Sequence, residues 1–267
     1  MEPLTERTPR VVSSVKLHRT ADRKKTGEFL AEGANAVGSA LDGGHVSELF
    51  YTADAGARAM ALVDRALKSG LRASLVNDKA ARALGDTVTP PGLVAVCRQI
   101  DVPLSQVLGA KPRLLAVPID IADPGNAGTV VRVADAVGAD GVVFAGNTVD
   151  PHNGKCVRAS AGSLFHIPIA RERSIDSVLD SLTDIRLFAT AADGEVDLDD
   201  ADELLDGPTA WLFGNEAHGL PSSVLARADH RIRIPIQGRA ESLNLATAAA
   251  ICLYASSRAQ RRGKSIS

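Results

Sequence analysis

The chain has 267 residues, 45% of them hydrophobic, with 30 Lys+Arg against 32 Asp+Glu; this suits one large or two modest globular domains and excludes a disulfide-stapled mini-protein, a fibrous repeat and a disordered tail. Only one Trp, two Tyr and six Phe are present, too few for a nucleic-acid reader built on rows of stacking rings. The formal charge of −2 argues against a polyanionic partner only if the charges are evenly spread. They are not: Arg7 to Lys25 holds seven basic residues and one acid, Asp22, whereas Asp193 to Asp206 holds eight acids and no base.

With that acidic stretch set aside, 30 basic residues face 24 acidic ones, and Arg258, Arg261, Arg262 and Lys264 cluster at the C-terminal end. Each basic run alone reads most simply as a solvated helix face, so the charge pattern permits an RNA partner without establishing one. Cys97, Cys156 and Cys252 are odd in number and widely spaced, which points to reduced thiols in a cytoplasmic protein and to no metal site. The N-terminus is charged, and the longest apolar run, Leu245 to Ala255, is too short to cross a bilayer. No membrane association is expected.

In chain order, the pattern predicts a strand at Phe29–Ala31, a helix at Asn35–Leu41, a strand at Val46–Thr52, a helix at Ala57–Lys68, and strands at Leu71–Val76 and Leu93–Cys97. This is the rhythm of a small α/β domain, residues 1–98. Pro103, Gly109 and Pro112 mark a linker over 99–112. The second domain, 113–267, opens with a buried strand at Leu114–Ile119, a turn over Asp123–Gly128, and a helix running to Gly138. Strands follow at Gly141–Phe144, Arg186–Thr190, Ala210–Phe213 and Arg231–Ile236, and a helix spans about Ser242–Gln260. Strands alternating with helices imply a mostly parallel sheet covered on both faces, with ligands at the carboxyl ends of its strands.

Three loops there carry the polar chemistry. Asp123-Pro-Gly-Asn-Ala-Gly-Thr-Val-Val-Arg132 combines glycines that let backbone approach a ligand with a helix start that favours anions. It has neither the G-x-G-x-x-G order nor the G-K-[ST] of nucleotide loops. Leu212-Phe-Gly-Asn-Glu-Ala-His-Gly-Leu-Pro221 ends a strand in glycine, amide, carboxylate and imidazole; Glu216 reads equally as a helix-start charge and His218 as an ordinary loop histidine. Ile234-Pro-Ile-Gln-Gly-Arg-Ala-Glu-Ser-Leu-Asn-Leu-Ala-Thr247 sets a polar cluster before a long apolar helix, where Ser242 or Asn244 could merely cap.

Together with Arg158-Ala-Ser-Ala-Gly-Ser-Leu-Phe165 and Arg23-Lys-Lys-Thr-Gly-Glu-Phe-Leu-Ala-Glu-Gly33, these loops make the chain resemble the SPOUT superfamily of RNA methyltransferases in its SpoU or TrmH branch. The resemblance covers nearly the whole chain. It implies an α/β-knot catalytic domain tied in a C-terminal trefoil, an exception to the rule against threaded chains. It also implies a small N-terminal α/β domain similar to a ribosomal RNA-binding protein.

The implied cofactor is S-adenosylmethionine, held bent within the knot at Gly214, Ile234 and Leu243, with Thr190, Gln237 and Asn244 as neighbours. The implied enzyme is a homodimer with active sites near the subunit interface, methylating a ribose 2′-hydroxyl. Arg132 is then the residue implicated in activating that hydroxyl, with Asn126, Glu216, Ser242 and Asn244 completing the site. Arg158 and the basic residues Arg19, Arg23, Lys24 and Lys25 are expected to contact RNA. A separate N-terminal domain leans toward 23S ribosomal RNA over tRNA. A non-catalytic RNA-binding or assembly factor on the same fold, and a small-molecule α/β enzyme, are the alternatives.

Overall fold

The computed structural model describes residues 2–87 and 91–264, without the side chains of Gly263 and Lys264. It falls into two compact units. One comprises residues 1–100 with 150–166, the other residues 101–149 with 167–267.

The first unit begins with α1 (Pro9–Val15) and α2 (Thr20–Thr26), then β1 (Glu28–Glu32), α3 (Ala34–Asp42), β2 (Val46–Tyr51), α4 (Ala57–Lys68), β3 (Arg72–Leu75), α5 (Asp78–Leu84) and β4 (Leu93–Arg98). Its sheet has the order β1-β4-β2-β3. The strand β4 runs antiparallel to both β1 and β2, and β2 runs parallel to β3. Since β4 is central, successive residues Leu93 to Cys97 are buried alternately on its two faces. One face packs with Val11, Leu17, Phe50, Ala80 and Leu84.

The second unit holds α6 (Leu104–Gly109), β5 (Leu114–Pro118), α7 (Pro124–Val137) and β6 (Gly141–Ala145). The next helix, α8 (Gly154–Ser160), returns to the first unit and packs on β1. The second unit then resumes with β7 (Ile169–Glu172), α9 (Ile175–Ser181), β8 (Arg186–Thr190), β9 (Val196–Asp197), β10 (Thr209–Phe213), α10 (Ser222–Leu225), β11 (His230–Arg233) and α11 (Leu245–Lys264). Its seven strands are all parallel, in the order β7-β6-β5-β10-β8-β11-β9. The chain moves outward from β5 to β7 and then returns to β5's other side. The carboxyl ends around β5 and β10 are therefore the switch point where ligands collect in such sheets.

Four differences from the sequence expectations have identifiable causes. The expected turn over Asp123–Gly128 is the first part of α7: Asp123 accepts from the Asn126 N–H at 2.8 Å as N-cap, and Pro124 occupies the first helical position. The final helix starts at Leu245, because the Asn244 side chain caps it by accepting from the N–H groups of Ala246 and Thr247 at 2.9 and 3.3 Å. The last strand stops at Arg233, two residues before Pro235. The segment 99–112 contains α6, with Val107 buried in the core of the second unit.

Candidate active site

The residues that close the site are set by backbone constraints at the strand ends. After β10, the chain folds into a tight hairpin in which Asn215 and Gly219 exchange backbone hydrogen bonds at 3.0 and 2.9 Å. A Cβ on Gly214 would lie 2.2 Å from the Gly219 carbonyl carbon, so only glycine fits. After β5, Asp120 sits at φ 51°, a left-handed conformation that costs a non-glycine residue about 1 kcal/mol. Its carboxylate accepts from the Asn147 N–H at 2.6 Å and its carbonyl from the Asn215 side-chain amide at 2.7 Å. Asp120 therefore joins the loops after β5, β6 and β10.

Onto this frame is built a directional chain of polar groups. Glu216 accepts from the N–H groups of Ala122 and Asp123 and from the Asn126 amide, each at 3.1 Å. Asn126 in turn accepts from the Asn244 amide at 3.1 Å. Asn244 thus caps α11 with its oxygen and holds Asn126 with its nitrogen. Burial pushes the Glu216 carboxyl upward, but the hydrogen bonds from Asn126 and from the backbone N–H groups outweigh it and hold Glu216 below the usual carboxylate range.

These groups border a cavity of ≈ 700 Å³ at the carboxyl ends of β8, β10 and β11. Of the residues expected at the site, Asn126, Thr190, Gly214, Glu216, Ile234, Ser242, Leu243 and Asn244 all line it. Thr190 donates its hydroxyl to the Leu212 carbonyl at 3.2 Å. Gln237 is exposed and outside the lining; Ile236 and Glu241 take the wall on either side of it. Arg132 also lies outside, on an exposed part of α7, with no hydrogen bond or ion pair among the described residues. Asp120 and Asn215 were not singled out from the sequence. Asp120's left-handed backbone has no sequence signature stronger than an Asp two residues after a buried strand.

The basic residues divide sharply. Arg19, Lys24 and Lys25 are exposed. Arg23, expected to touch RNA, is instead 1% exposed: it pairs with Asp150 at 2.8 Å and donates to the carbonyls of Leu17 and His18 and to the Thr20 hydroxyl. It ties α2 to the preceding turn and to Asp150 within the first unit. Arg158 is committed to Glu32 and Asp86 at 3.1 and 3.2 Å. The acidic stretch is not a free patch either. Glu195 pairs with Arg231, Asp197 with Arg233, Asp206 with Arg186, and Asp202 with both Arg258 and Arg262. Four of the stretch's eight acids are thus paired with five arginines, two of them on the C-terminal helix.

The three loops meet in one amide-lined cavity at the carboxyl ends of a parallel sheet. The chain belongs to the SpoU rRNA Methylase family, whose model matches residues 113–254, and residues 8–95 match the MRM3-like substrate binding domain. The chain is 35% identical over 242 residues to the 23S rRNA (guanosine(2553)-2'-O)-methyltransferase RlmP of Bacillus subtilis, covering 90% of this chain and 92% of that one. It is 33% identical over 256 residues to the 23S rRNA (uridine(2479)-2'-O)-methyltransferase of Streptomyces viridochromogenes, covering 91% and 86%. The crystal structure of an AdoMet-bound rRNA methyltransferase from Sinorhizobium meliloti superposes with a TM-score of 0.84 at 32% identity, covering 96% of this chain and 97% of that one.

Proposed function

We propose that this protein transfers a methyl group from S-adenosylmethionine to a ribose 2′-hydroxyl of 23S ribosomal RNA, in the cytoplasm and as a homodimer. The observation that carries this reading is the convergence of the family's three loops on one cavity, joined by the Asn244–Asn126–Glu216 chain. Relatives named for 23S rRNA match this chain along nearly its whole length, which favours ribosomal RNA over tRNA. Among the described residues no helix is long and apolar enough to cross a membrane, and no His/Cys/Asp/Glu cluster could hold a metal.

The cavity fits the cofactor's chemistry. Phe213, Ile232, Ile234, Ile236, Leu243 and Leu245 offer apolar walls for an adenine, and Gly214 lines the same cavity. Gly214, Ile234 and Leu243 would hold the group, with Thr190, Ser242 and Asn244 beside it. The bound cofactor supplies a methyl group on a sulfonium, already a good electrophile.

What remains for the protein is to place a ribose oxygen in line and to ease loss of its proton to solvent water. Asn126 is oriented at both ends of its amide, by Glu216 and Asn244, and so presents a fixed dipole at the cavity rim. A guanidinium offers hydrogen-bond donors and no acceptor, so Arg132 acts by stabilising the developing alkoxide and a neighbouring RNA phosphate, not as a base.

Its position outside the cavity fits a dimer. The helix α11, which packs beside α7, leaves Ile251 and Tyr254 37% and 56% exposed on one apolar face. A second copy covering that face would carry Arg132 toward the partner's cavity. Arg132→Ala should lower methyl transfer from tritiated cofactor at least a hundredfold while calorimetric cofactor binding stays within twofold. Full transfer in that variant would remove Arg132 from catalysis, and loss of cofactor binding would place it in the cofactor pocket.

A further inference from the structure

In the second unit, arginine pairing is nearly complete. Arg171 is bound to Asp101, Arg186 to Asp206, Arg227 to Asp176 and Asp180, and Arg231, Arg233, Arg258 and Arg262 to the acidic stretch. Arg113 donates to the Asp206 carbonyl, and Arg261 donates to Ser257 while lying over the Tyr254 ring. Among the described residues of this unit, the arginines left without a hydrogen bond or ion pair are Arg132, Arg173 and Arg239. Arg132 is accounted for above.

The other two share one edge of the sheet. Arg173 immediately follows β7, and Arg239 lies in the segment after β11 between the cavity-lining residues Ile236 and Glu241. Both are exposed. Arg173 is tied to the cavity rim by a continuous ledge: Glu172 accepts from the Gly146 N–H at 2.9 Å, Asn147 donates to Asp120, and Asp120 accepts from Asn215. From β7 to β10 the ledge spans three strand spacings, about 14 Å. The carboxylates along it are mostly occupied: Glu172 accepts from the Ser174 N–H, Asp120 from Asn147, and Glu216 from its three donors. Glu241 alone faces the cavity without a partner among the described residues.

We infer that Arg173 and Arg239 are phosphate contacts that hold the RNA backbone on either side of the reacting ribose. In a unit where seven of the other ten arginines are paired with carboxylates and two more donate to neutral oxygens, two unpaired ones flanking the site on the ligand-binding edge are matched to a polyanion that crosses it. Their contribution is to affinity and register, with no base readout. The inference rests on the functional reading above.

The test is the salt dependence of binding to a full-length 23S rRNA transcript, followed by fluorescence anisotropy, for the parent, Arg173→Gln, Arg239→Gln, the double variant, and Lys111→Gln. Lys111 is an unpaired exposed cation before the amino end of β5 and controls for the loss of one charge. Each arginine variant should reduce the slope of log K against log salt by roughly 0.7 to 0.9, and the double variant by about twice that. Lys111→Gln should leave the slope unchanged, and cofactor affinity by calorimetry should be unaltered throughout. A parental slope in the double variant, or an equal loss in Lys111→Gln, would overturn the assignment. Because the slope is read on binding, a parent that binds the transcript yet never methylates it would defeat the functional reading separately.

Discussion

Glu216 has no cation to pair with among the described residues and is instead held ionised by three N–H donors from the start of α7, the electropositive end of that helix. A carboxyl held below its usual range adds stability that is fully present above the ordinary carboxylate range and is lost as pH falls through its lowered value. Replacing it by Gln keeps the shape but exchanges one acceptor oxygen for a donor facing other donors. Glu216→Gln should therefore lower turnover roughly tenfold and flatten the acid limb of stability, read as Tm between pH 3 and 6. An unchanged limb would mean that the loop is held by other contacts.

Arg23 is the counterexample, a residue misread from sequence because a run of bases looks like a surface. Desolvation works against the Asp150 carboxylate, yet hydrogen bonds from His152 and Arg23 hold it well below the usual range. Removing one partner of such a buried pair costs about 3–5 kcal/mol. Arg23→Ala should thus lower the denaturant midpoint sharply, whereas Lys24→Ala should leave the midpoint alone and weaken RNA binding; equal midpoints in the two variants would contradict the assignment.

At the scale of elements, five of the seven parallel strands were legible, the central ones because each is a short run of apolar residues buried on both faces, as Leu114–Val117, Gly141–Ala145 and Thr209–Phe213 are; β7 and the two-residue β9, only partly buried, were not. The short helices α1, α2, α5, α8 and α9 were not: each has only seven residues, too few for a helical period to stand out. The loop-to-helix boundaries at Asp123 and Asn244 were displaced because glycines and polar residues read as turns, while the deciding event is a side-chain cap. The site residues were legible as three motifs. The hydrogen-bond chain joining Asn126, Glu216 and Asn244 was not, since its members lie about 30 to 120 positions apart and meet only through the sheet order. The helix α11 carries its own prediction. Tyr254→Asp, on its exposed face, should convert a dimer to a monomer in analytical ultracentrifugation and abolish transfer together with it; an active monomer would refute the shared site.

At the scale of the whole molecule, charge is arranged by neutralisation more than by segregation. Four acids of the acidic stretch pair with arginines of the second unit, Arg258 and Arg262 of the C-terminal helix among them, and among its described arginines the unpaired Arg173 and Arg239 lie on the edge proposed to meet RNA. A net charge of −2 is thereby compatible with a polyanionic substrate. Scarcity of aromatic residues fits recognition of folded RNA by backbone and shape. Two relatives of similar identity carry names that specify different nucleotides, a guanosine and a uridine.

The most direct measurement is to incubate the purified protein with tritiated S-adenosylmethionine and an unmodified 23S rRNA transcript, then map the product by ribose-methylation sequencing and nucleoside mass spectrometry. The account predicts one 2′-O-methylated nucleotide in 23S rRNA, with no base methylation and no transfer to tRNA. Label on a base, or transfer to tRNA alone, would contradict it.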